Sequence, residues 1–163
     1  KRDSLPNLPS EQIQTTMEVQ VPGRMEVLKF KDKTVVLDGA HNEQKMQAFV
    51  SSFQKLYPDS KVPILLGMKE GKEYDAVLKL LKPICSQLIV TAFEAKQDLQ
   101  VISLKPEILA AAASNLGYEN VLIEADCQKA LSRLLTQTNS QAVITGSFYL
   151  LSSLRPAILN AND

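Results

Sequence analysis

Asp38, Gly39, Ala40, His41 and Asn42 form one run that combines a carboxylate, two small residues, the sole histidine and an amide. Gly39 and Ala40 let a ligand approach the backbone, Asp38 offers a hydrogen-bond acceptor, and His41 titrates near neutrality. A second run, Thr145-Gly146-Ser147-Phe148-Tyr149, places a hydroxyl after a small residue. Both runs suit an anion held by unpaired N–H groups at a helix start, and the second suits a carboxylate in particular. The plainer alternative is that each is an ordinary capped turn, with Asn42 and Ser147 as N-caps.

Such groups work only if the elements around them hold them in place. Residues 35–37 read as the end of a buried strand, and 43–56 carries the spacing of an amphipathic helix, so the first run is a strand-to-helix turn. Upstream, 17–21 alternates, Pro22-Gly23 signals a turn, and 25–30 alternates again before the polar break 31–33. Pairing 25–30 with 34–37 gives an antiparallel hairpin, in which Arg24 at the start of one strand lies beside Asp38 at the end of the other.

Beyond residue 56 the pattern alternates. Strands are expected at 62–67, 87–91, 121–123 and 142–145. Helices are expected at 74–81, 106–116 and 126–135, with a last helix opening at Ser147 and interrupted at Pro156. Strands separated by helices imply right-handed crossovers and a largely parallel sheet covered on both faces. Residues 92–104 are the least regular stretch, and 1–14, with Pro6 and Pro9, reads as a linker or interdomain arm. The chain begins at Lys1 without an initiating methionine, which suggests a piece of something longer.

Composition excludes several classes. Eighteen basic and eighteen acidic residues cancel without long runs of one sign, so neither a nucleic-acid nor a membrane partner is expected. No apolar run has the length of a membrane span. Cys85 and Cys127 stand far apart among apolar neighbours, the pattern of buried thiols in a reducing, cytoplasmic compartment. One histidine and no carboxylate cluster leave no metal site. The stretch Gly67-Met68-Lys69-Glu70-Gly71-Lys72 has the wrong spacing for a phosphate loop and reads as a solvated turn, and no G-x-x-x-x-G-K-[ST] or G-x-G-x-x-G pattern occurs.

In order and spacing, Pro22-Gly23-Arg24-Met25-Glu26, Leu37-Asp38-Gly39-Ala40-His41-Asn42 and Val143-Ile144-Thr145-Gly146-Ser147-Phe148-Tyr149-Leu150 resemble the C-terminal domain of folylpolyglutamate and dihydrofolate synthases. Those enzymes are part of the Mur ligase superfamily, and the resemblance runs from about Pro22 to Arg155. It implies an α/β, three-layer Rossmann-like domain over 15–163: a mostly parallel six-stranded sheet with one antiparallel strand and helices on both faces.

The resemblance also implies ATP-dependent joining of glutamate to a folate or dihydropteroate carboxylate through an acyl phosphate. Arg24 would reach nucleotide phosphates, Asp38 the ATP ribose and neighbouring groups, His41 the reacting end and the glutamate, and Ser147 the glutamate. The magnesium ligands, the phosphate loop and the folate-binding elements would lie in an N-terminal domain, and a monomer is implied. Two departures stand out: Glu43 replaces a common proline, and residues 93–104 lack the proline- and arginine-containing pattern of the family. Two other readings stay open: the equivalent domain of a cell-wall peptide ligase, and a Rossmann-like binding module without catalysis. His41 is expected to be kept cationic by Asp38 and Glu43.

Overall fold

A computed structural model of the chain describes residues 21–94 and 101–161. The arm 1–14, nearly all of the alternating stretch 17–21, and the centre of the irregular loop lie outside the described residues.

The hairpin forms as expected: β1 (Glu26–Phe30) pairs antiparallel with β2 (Lys33–Asp38), Glu26 opposite Leu37 and Phe30 opposite Lys33. There follow α1 (Glu43–Leu56), β3 (Val62–Leu66), α2 (Tyr74–Leu81), β4 (Cys85–Val90) and α3 (Pro106–Asn115). The chain closes with β5 (Val121–Ile123), α4 (Cys127–Gln137), β6 (Gln141–Thr145) and α5 (Phe148–Asn160). The six strands lie in the order β1-β2-β6-β3-β4-β5, and every neighbouring pair except β1 with β2 is parallel.

Strand alternation sorts the core into two layers. Val36, Ile64, Leu66, Leu88, Val90 and Val143 face α1, α2 and α3. Val35, Leu37, Leu65, Ile89, Ala142 and Ile144 face α4 and α5. α1 buries Met46, Phe49, Val50 and Phe53. Each such side chain contributes about 1.5–3 kcal/mol, so this helix start is anchored firmly enough to carry a site.

Two expectations need correction. β4 starts at Cys85, not at 87, because a short 3-10 turn over Lys82–Ile84 hands the chain directly from α2 into the sheet. Pro156 does not interrupt the last helix, which runs on to Asn160 with Pro156 inside it. A proline within a helix costs about 3 kcal/mol, and the buried Leu150, Leu151, Leu154 and Ile158 on one face of α5 offset it.

The crossovers set where a ligand can sit. β2 and β3 send their helices to one face of the sheet, whereas β6, between them, sends α5 to the other. Neighbouring parallel strands whose helices part in this way leave a crevice at their carboxyl ends, the favoured ligand position in open α/β sheets.

Gly146 makes this crevice possible. Its φ is 102°, and a Cβ there would stand 2.6 Å from the carbonyl oxygen of Gly67. Gly146→Ala should therefore destabilise the chain by about 2 kcal/mol or more, read from urea unfolding by circular dichroism. A loss under about 0.5 kcal/mol, ordinary for a surface position, would show that the turn yields freely.

Candidate functional site

The hairpin brings Arg24 to Asp38. Arg24 sits between two residues of left-handed backbone, Gly23 at φ 71° and Met25 at φ 44°. Its own N–H donates to the Val21 carbonyl at 3.0 Å. The Gly39 N–H donates to the Gly23 carbonyl at 2.8 Å, and the Met25 N–H to Asp38 Oδ2 at 2.9 Å. Asp38 Oδ1 accepts from the Ala40 N–H at 2.8 Å. Burial pushes the Asp38 carboxyl above its ordinary value, opposed by the Met25 and Ala40 N–H groups and by the charge of Arg24.

Next along the turn, Asn42 caps α1 by accepting the Lys45 N–H at 3.0 Å. His41 Nδ1 lies 2.8 Å from the Gly39 carbonyl and Nε2 lies 3.3 Å from Lys45 Nζ. A carbonyl can only accept, so Nδ1 carries the hydrogen in that bond. The charged neighbour at hydrogen-bond range of His41 is Lys45, four residues on. Sequence reading missed Lys45, although the spacing from His41, four residues into α1, was the signal.

Ser147 begins α5 as expected, its hydroxyl accepting the Tyr149 N–H at 3.2 Å. It is buried. The parallel pairing of β2 with β6, Asp38 opposite Thr145, sets the Asp38 and Ser147 turns side by side.

Between them lies a cavity of about 220 Å³ lined by Arg24, Met25, Asp38, Gly39, Lys45 and Phe148, among others; neither His41 nor Ser147 lines it. A Cβ on Gly39 would come within 2.7 Å of the Phe148 ring, and one on Gly23 within 2.9 Å, so both glycines make room for that ring.

A larger cavity, of about 770 Å³, opens at the ends of β4 and β5 among Phe93, Glu94, Asp126, Cys127 and Tyr149. Among the described residues its lining holds two carboxylates, Glu94 and Asp126. The smaller cavity, by contrast, brings the two cations Arg24 and Lys45 beside Asp38.

Cys127 and Cys85 are free and half-buried, and burial pushes the Cys85 thiol up to about 12, the state of an inert side chain. Among the described residues no group of three or more His, Cys, Asp or Glu could hold a metal ion, and no helix is long and apolar enough to cross a membrane. The 67–72 stretch is a surface turn only from Lys69 on: Gly67 and Met68 are buried, Met68 in the core, and the Leu104 N–H donates to the Met68 carbonyl at 2.7 Å.

Comparison with known proteins is consistent with this architecture. The model of the family described as "Mur ligase, glutamate ligase domain" matches residues 23–148. Dihydrofolate synthase/folylpolyglutamate synthase of Bacillus subtilis is 25% identical over 139 residues, covering 82% of this chain and 30% of that protein. Dihydrofolate synthetase of Saccharomyces cerevisiae is 28% identical over 150 residues, covering 84% of this chain and 35% of that protein. A folylpolyglutamate synthase of Mycobacterium tuberculosis, solved with ADP and AMPPCP, superposes with a TM-score of 0.78 at 22% identity, covering 93% of this chain and 35% of that one. That likeness establishes the fold. The chain thus spans about a third of the length of the curated relatives it matches.

Because burial raises the Asp38 carboxyl, the folded chain keeps this proton to higher pH than the unfolded chain. Asp38 alone therefore makes stability fall as pH rises from the ordinary carboxylate value through the raised folded one. Removing the charge in Arg24→Ala should move the Asp38 midpoint further up, measured by carbon-detected NMR titration. An unchanged midpoint would show that the charge of Arg24 does not reach Asp38.

Proposed function

Since the chain belongs to the Mur ligase family, as its glutamate ligase domain, we propose that it is the C-terminal, amino-acid-binding domain of an ATP-dependent folate-type glutamate ligase. Residues 15–163 form that domain behind an arm at 1–14, and its ATPase domain lies upstream. In the reaction, an oxygen of a folate or dihydropteroate carboxylate attacks the γ-phosphorus of ATP and ADP leaves. The amine of glutamate then attacks the acyl phosphate, and phosphate departs as the amide forms.

The observation that carries this reading is the smaller cavity. At about 220 Å³ it is smaller than the roughly 300–1,000 Å³ of a complete small-molecule site, yet it gathers Arg24, Lys45 and Asp38. That is one wall of a site, to be closed by a second domain, and it agrees with a chain that covers a third of its relatives. The ADP- and AMPPCP-bound relative supports ATP as the nucleotide.

Arg24 steadies the charge of the transferring phosphate, and Asp38 meets the nucleotide ribose. Both Asp38 oxygens are already engaged by backbone N–H groups, and the magnesium ligands are assigned to the upstream domain. His41, the Lys45 ammonium and the N–H groups where Ser147 opens α5 hold the glutamate, with the amine close to the acyl carbon. The folate-type relatives favour this substrate over a cell-wall peptide. A cytoplasmic monomer completes the reading.

With the chain joined to its ATPase domain, Arg24→Ala should lower ATP-dependent turnover by about tenfold or more, the scale of a lost charge-assisted contact. His41→Ala and Ser147→Ala should raise the glutamate KM more than the ATP KM. Equal effects on both substrates would place the amino acid elsewhere. The 163-residue chain by itself should not hydrolyse ATP; turnover above a denatured control would contradict the half-site.

A further inference from the structure

We propose that Glu26 and Arg155 are a positioning pair for Arg24: the guanidinium on α5 fixes the Glu26 carboxylate, and that carboxylate fixes the turn from which Arg24 projects. The proposal rests on the reading that Arg24 meets the nucleotide phosphates.

Glu26 opens β1 and is 4% exposed. Its Oε2 accepts the Gly23 N–H at 2.9 Å. Arg155 grips the same carboxylate as a fork, Nη2 to Oε1 at 2.7 Å and Nε to Oε1 and Oε2 at 3.0 and 3.1 Å. The contact joins residues 129 apart in sequence. α5 therefore touches both turns of the site: at its start through Ser147 and Phe148, and two turns later through Arg155.

Packing alone does not call for this pair. Four apolar side chains already bury the inner face of α5, and an ion pair with a buried partner roughly balances its own desolvation cost, so an apolar residue at 26 would serve the core as well. An apolar residue could not accept the Gly23 N–H. That bond matters because Gly23 and Met25 both hold left-handed backbone on either side of Arg24. A non-glycine residue stays in that region only where its surroundings over-determine it. Burial alone would raise the Glu26 carboxyl, but the Arg155 hydrogen bonds, the Gly23 N–H and the Arg155 charge together hold it below its ordinary value. The acceptor is thus a full carboxylate, the stronger partner for an N–H.

The test uses Arg155→Met, which keeps the apolar stem and removes the fork, and Arg155→Lys, which restores charge without the planar grip. In the enzyme assembled with its ATPase domain, Arg155→Met should raise the ATP KM by about five- to tenfold and leave the glutamate KM within about twofold. Arg155→Lys should recover part of that loss. Adding Arg155→Met to Arg24→Ala should change the ATP KM little further, because both act through one group. In the 163-residue chain, hydrogen exchange at the Gly23 amide should quicken about tenfold in Arg155→Met while the Ser147 and Phe148 amides keep their rates.

A lowered Tm with the ATP KM unchanged, or equal rises in both KM values, would make the pair a structural bridge and overturn the proposal. Unchanged Gly23 exchange would overturn it independently of any activity. An ATP KM that does not respond to Arg24→Ala would instead remove the functional reading beneath it, and the proposal with it.

Discussion

β2 and β6 run side by side and parallel, Asp38 opposite Thr145, and this one pairing governs where a ligand can be met. It places two strand-to-helix turns shoulder to shoulder while their helices depart to opposite faces of the sheet. The N–H groups at both helix starts then lie at one carboxyl edge, where the helix dipoles favour negative charge. The bare approach of Gly146 to Gly67 permits the pairing to end in a sharp turn. Thr145 itself is fully buried, and its hydroxyl has no hydrogen-bond partner among the described residues, a cost carried beside Asp38. Unsatisfied buried groups are rare and concentrate where a structure serves something other than its own stability.

The antiparallel β1 adds what the parallel strands cannot supply: a cation at the same edge. A hairpin returns its first residue to the end of its second strand, so Arg24 reaches Asp38 without any long-range chain path. The Gly39 N–H donating to the Gly23 carbonyl, the Met25 N–H donating to the Asp38 carboxylate, and the ring of Phe148 lying over Gly23 and Gly39 make the three segments one unit. A side chain at either glycine would displace that ring. The conformational freedom of Gly23 and the lack of a Cβ at Gly39 thus have separate physical uses.

Much of this was legible in the sequence because it depends on local signals. Alternation and helical spacing located every strand and α-helix among the described residues, though not the 3-10 turn at Lys82–Ile84, and the hairpin pattern made Arg24 and Asp38 neighbours. What stayed hidden depends on contacts between distant segments. Nothing in the run around Pro156 reveals that a buried face and the grip of Arg155 on Glu26 carry α5 through the proline. The Lys45 ammonium beside His41 was missed, because counting nearby acids drew attention to Asp38 and Glu43 instead. The burial of Ser147 could not be read from a capping pattern, which looks the same on an exposed helix.

The most direct measurement is a crystal structure of the chain joined to its ATPase domain, with AMPPNP and glutamate bound. If this domain forms one wall of a glutamate ligase, the Arg24 guanidinium will lie within hydrogen-bond distance of a phosphate oxygen, and the glutamate will lie between His41 and the start of α5. Nucleotide phosphates seated instead at the ends of β4 and β5, beside Glu94 and Asp126, would contradict it.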